Sequence, residues 1–70
     1  MKLKRKYLDM CATLCELREA PADMMNLKAF LKGKLLGYYY LLKKHGYRLD
    51  KNVEKEVQFY TEEEVKEYVD

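Results

Sequence analysis

Residues 23–45 read DMMNLKAFLKGKLLGYYYLLKKH. At 100° per residue, Met24, Leu27, Leu31, Leu35, Tyr38 and Leu42 gather into one narrow stripe, and Phe30 and Leu41 widen it on one side. The spacing predicts a helix over residues 22–45 with a face built for a core. Pro21 is tolerated before a first turn, and Asp23 is placed to cap free amides. At the far end Lys43, Lys44 and His45 suit the negative end of the helix dipole, and Gly46 suits a left-handed terminal position. About 23 residues at 1.5 Å each span roughly 35 Å.

The other side of this helix carries Met25, Ala29, Gly33, Leu36, Tyr40 and, at its edge, Gly37. A solvated face would hold charge at these positions. Two interior glycines also cost a helix about 1 kcal/mol each relative to alanine. Close approach of another helix offsets such a cost, and Gly33 and Gly37 have the small-xxx-small spacing that permits it. These six residues are therefore the candidate protein interface. Two coverings are open: a second copy or another protein, or the chain's own last helix through Val65, Tyr68 and Val69. A third reading breaks the helix at Gly33–Gly37 into a helix-turn-helix.

Working outward, Leu3, Tyr7, Met10, Leu14 and Leu17 recur at spacings of four and three and predict a first helix over 2–19. Leu8, Cys11 and Cys15 widen its stripe on one shoulder. Pro21 separates it from the long helix, because proline lacks an amide hydrogen and restricts the residue before it. After Gly46, Tyr47–Asn52 reads as a turn or loop. Residues 53–60 fit either a helix or a short strand. Thr61 and Glu64 make a capping box, which predicts a short last helix over 62–69. Residues 59–69, FYTEEEVKEYV, resemble the opening helix of excisionase-type winged helix DNA-binding domains. The resemblance covers eleven residues, without the turn and recognition helix of such a domain, and does not identify a family. The expected fold is mainly α: one small helical domain over 1–70, a bundle of about three helices completed by dimerisation.

Length supports that last step. A chain of 70 residues buries only about 60% of its unfolded surface. Small domains close the resulting deficit with disulfides, a metal or a partner. Cys11 and Cys15 lie one helical turn apart, where a disulfide constrains little, and the bland reading makes both small buried apolar residues. One histidine and no second cysteine pair give no tetrahedral ligand set, so neither metal nor cofactor is expected. A partner chain remains. The basic N-terminus is followed by no apolar signal region, and the longest uncharged apolar run, Leu35–Leu42, is far short of a membrane span. A cytoplasmic, reducing setting is expected.

Net charge is +2, but it is unevenly placed. Residues 1–50 hold eleven Lys and Arg against five Asp and Glu, and residues 51–70 hold three against seven. Between the two apolar faces of the long helix runs a stripe of Lys28, Lys32, Tyr39 and Lys43, which makes a candidate nucleic-acid contact surface. The bland reading is a solvated border paired with later glutamates. The chain has no serine, no glycine-rich phosphate loop and no metal motif, so an enzyme is not expected. The leading expectation is a small non-enzymatic interaction or regulatory protein acting through helix–helix contacts as a homodimer. The alternative is a nucleic-acid-binding regulator using the basic stripe.

Overall fold

A computed structural model describes the backbone of residues 2–69 and the side chains of residues 2–60. It is a bundle of three helices: α1 (Leu3–Glu19), α2 (Met25–Lys44) and α3 (Lys51–Val69). The core is one cluster of Met10, Leu14 and Leu17 from α1, Leu31, Leu35 and Leu42 from α2, Leu49 from the last connection, and Val57 from α3. Leu3, Tyr7, Tyr38, Tyr39, Tyr47, Val53 and Tyr60 pack around it half-buried. Thr13 is buried among these side chains, and its hydroxyl donates to the Asp9 carbonyl at 2.9 Å, so the polar atom is satisfied.

The helix boundaries follow from local chemistry. Ala20 ends α1 in an extended conformation, φ −65° and ψ 131°, as the ring of Pro21 requires. Pro21–Met24 forms a turn closed by the Met24 amide donating to the Pro21 carbonyl at 3.1 Å. The long helix therefore begins at Met25, three residues later than the sequence suggests, and Met24, not Asp23, is its N-cap. Its far end is as read. Gly46 takes φ +71°; its amide donates to the Lys43 carbonyl at 3.1 Å, and the Tyr47 amide donates to the Leu42 carbonyl at 3.0 Å. This is a Schellman motif, and Tyr47 closes it by packing into the core beside Leu42.

α2 runs unbroken through Gly33 and Gly37, which removes the helix-turn-helix reading. Each glycine loses one good helix former, but the flanking leucines anchor the helix to α1, and packing outweighs propensity. The last helix differs most from expectation. Residues 53–60 are helical and continuous with the segment predicted as a separate helix at 62–69. The cap is Asp50, not Thr61. Its carboxylate accepts from the amides of Asn52 at 2.9 Å and Val53 at 3.4 Å, while its carbonyl accepts from Glu54 at 2.9 Å. Thr61 lies within the helix, where there are no free amides to cap.

α1 begins less favourably. Its N-cap, Lys2, makes no side-chain cap bond, and its first turn holds no acid. Lys4, Arg5 and Lys6 stand at the positive end of the helix dipole, a placement that costs about 0.3–1 kcal/mol for each charge at low salt.

Replacing Asp50 with alanine is expected to lower unfolding free energy by about 1 kcal/mol. Replacing Thr61 with alanine is expected to stay within about 0.5 kcal/mol of wild type. Urea titration followed by circular dichroism measures both. A larger loss for Thr61→Ala would place the helix start where the capping box suggested.

Candidate functional site

The six predicted interface residues fall on the side of α2 that neither α1 nor α3 covers. Met25 is 76% exposed and Tyr40 65%; Ala29, Gly33 and Gly37 are exposed, and Leu36 is half-buried. A Cβ built on Gly33 or Gly37 meets nothing within 4 Å. Among the described residues, nothing covers either glycine. Val65, Tyr68 and Val69, the residues that would have covered them, lie outside the described side chains.

Phe30 joins this face. It was read as an edge of the core stripe, yet it is 66% exposed. Its angular position lies between the stripe and the glycines, and the bundle has only two helices with which to cover α2. Met24 and Leu27, also assigned to the stripe, are exposed at 48% and 38%. They belong to the end of α2 nearest Pro21, which the turn carries away from the core. The three consecutive tyrosines separate as helical geometry requires: Tyr38 and Tyr39 are half-buried, and Tyr40 points outward. The missed signal at Phe30 was its neighbour Gly33, which marks the side that it shares.

The predicted basic stripe is occupied from within. α3 lies along it. Lys43 donates to Glu54 at 2.7 Å, and the Tyr39 hydroxyl donates to the same carboxylate oxygen at 3.5 Å. The Lys43 ammonium also sits 5.8 Å from the centre of the Tyr39 ring. Lys32 is buried and engaged, and Lys28 is half-buried. So Tyr39 and Lys43 lie in the seam between α2 and α3. The hydrogen bond from Lys43 holds the Glu54 carboxyl below its ordinary value of 4.5, against a smaller opposing effect of desolvation. The same bond holds the Lys43 ammonium above its ordinary value. On the α1–α3 side, Arg18 donates through Nε and Nη2 to the two carboxylate oxygens of Glu56 in a bidentate pair.

The thiols offer little chemistry. Cys11 is half-buried and Cys15 exposed, so neither is fully buried as first read; both are free. Burial pushes the Cys11 thiol up, away from the thiolate that nucleophilic chemistry needs. The Tyr7 hydroxyl is raised by the same cause, although a backbone hydrogen bond from Asp50 opposes the shift. Among the described residues, no three His, Cys, Asp or Glu side chains are grouped to hold a metal ion. Among those residues too, no helix is long and apolar enough to cross a membrane.

No protein-family model, curated protein or solved structure matches the chain.

Glu54 titrates lower in the folded chain than in the unfolded one. Its contribution to stability is therefore complete above its unfolded value and is lost as pH falls through the lower, folded value. The thermal midpoint should fall across the acid range, and Glu54→Gln should flatten that part of the profile. An unchanged profile in the variant would show that the seam contributes nothing to acid sensitivity.

Proposed function

We propose that this chain is a small interaction protein that works as a homodimer, with α2 of one copy crossing α2 of the other at Gly33 and Gly37. The observation that carries the reading is the open face of α2: two glycines with free space above them, flanked by exposed Phe30 and Tyr40.

The face is self-complementary. Phe30 and Tyr40 lie five residues to either side of Leu35, about 7.5 Å along the axis in each direction. Gly33 and Gly37 lie two to either side. An antiparallel two-fold crossing centred there brings Phe30 of one copy level with Tyr40 of the partner subunit, and the glycines face each other between two such pairs. Small residues at the centre let the backbones approach, and aromatic pairs at the flanks add about 0.5–1.5 kcal/mol each beyond their buried area. A two-fold interface of this kind uses the same patch twice.

The alternative function, nucleic-acid binding through Lys28, Lys32, Tyr39 and Lys43, has less support, since Glu54 and burial already occupy that stripe.

Gly33→Leu separates the interface from the fold. The added Cβ meets no described atom within 4 Å, and the change removes an interior glycine, so monomer stability should rise by about 0.5–1 kcal/mol. In the dimer it would hold the backbones apart. Sedimentation equilibrium is expected to show a wild-type dimer and a variant weakened at least tenfold. A wild type that stays monomeric at millimolar concentration would overturn the proposal, as would a variant that dimerises equally well.

A further inference from the structure

The bundle gathers its positive charge at one end. The Lys6 ammonium lies 5.8 Å from the centre of the Tyr38 ring, and the Tyr7 and Tyr47 rings are 5.5 Å apart. These contacts set the start of α1 beside the end of α2, and Asp50 and the start of α3 join them there. Residues 2–9 and 43–54 together hold eight Lys and Arg against three Asp and Glu, while the rest of the chain holds six against nine. Two of the eight are committed: Lys43 to Glu54, and Lys6 to Tyr38. The other six, Lys2, Lys4, Arg5, Lys44, Arg48 and Lys51, are exposed and make no ion pair with any described residue.

The fold does not need this arrangement. The paired cations, Arg18 and Lys43, tie helices together, but these six form no ion pair with any other described residue. Those at the start of α1 oppose the helix dipole, and sequences that break a local rule without a structural return do so at functional sites.

We infer that this end of the bundle docks on the phosphate backbone of double-stranded nucleic acid. The occupant follows from the chemistry. Six cations from three segments face outward; the depression that Lys2, Lys4 and Arg5 line with Leu8 and Asp9 is shallow and open to solvent, so charge and not an enclosed apolar pocket is what a partner meets. The bundle is 24 × 21 Å across, and 24 Å of duplex carries roughly 14 phosphates. A membrane surface requires apolar side chains inserted beside the cations. Leu8 is the one large exposed apolar residue among the described residues at this end, since Tyr7 and Tyr47 are packed on each other and on the core. Contacts of this kind position a protein on a duplex without reading its sequence. Five of the six cations lie off the open face of α2; Lys44 stands one turn beyond Tyr40, at that face's far end.

The test is fluorescence anisotropy of a labelled 20-base-pair duplex titrated with the full chain at 50 and 200 mM salt. If four of the six cations meet phosphates, affinity falls about 100-fold between the two salt concentrations. Lys4→Glu with Arg5→Glu and Arg48→Ala should remove binding at 200 mM and flatten the salt dependence at 50 mM. The two glutamates relieve the dipole conflict, so the variant should melt no lower than wild type, and loss of binding cannot be assigned to unfolding. Lys28→Ala with Lys34→Ala, on other faces, should bind as wild type. No binding at 50 mM overturns the inference. So does equal binding by the first variant, or binding to vesicles of phosphatidylcholine with phosphatidylserine but not to the duplex.

Discussion

Leu31, Leu35 and Leu42 are held in one cluster with Met10, Leu14 and Leu17, and the rest of the molecule is arranged around that contact. It fixes which side of α2 faces inward. Once that side is fixed, Tyr39 and Lys43 must lie along one flank, where α3 meets them through Glu54 and seals the cluster with Val57. Gly33, Gly37, Phe30 and Tyr40 must then lie on the remaining side. Two helices cover only part of the circumference of a third, and a chain this short has no fourth. The open face is thus a consequence of geometry. The unusual feature is that the sequence has placed glycine, alanine, methionine and aromatic residues there where lysine and glutamate would be less costly to expose.

Polar groups sort by the same logic. Cations that fall between helices are used: Arg18 joins α1 to α3, and Lys43 joins α2 to α3. Both pairs are partly exposed, so each contributes modestly to stability and more to the register of α3. Cations that fall at the end of the bundle are left over. The molecule is therefore electrically uneven in the folded state, with its basic end formed where the start of α1 meets the end of α2.

Most of the fold was legible in the sequence because heptad-like spacing is a strong signal when it is long. The stripes of α1 and of the middle of α2, the break at Pro21 and the glycine stop at Gly46 are all direct readings of period, ring constraint and left-handed backbone. The last helix was not. Val53, Val57 and Tyr60 fit two periods, and the Thr61–Glu64 pattern offered a start that the chain does not use. Asp50 was noted only as a turn residue, although an aspartate before a run without proline or glycine serves equally as a cap. Of the six face residues, five are exposed as their angle suggests and Leu36 is half-buried; Phe30 was assigned to the core stripe, because its angle lies at the border and only the positions of α1 and α3 decide it. The fate of Lys32 and Lys43 likewise depended on where α3 runs, which no local pattern specifies.

The central claim is that a second copy of the chain covers the face of α2 around Gly33 and Gly37. Isotope-filtered NMR on an equimolar mixture of labelled and unlabelled chains tests it most directly. The account predicts intermolecular Overhauser contacts between the Phe30 ring of one copy and the Tyr40 ring of the other, with glycine α-protons of residues 33 and 37 in contact across the same interface. A mixed sample that yields only intramolecular contacts at these residues, with Phe30 and Tyr40 still in water at millimolar concentration, would contradict it.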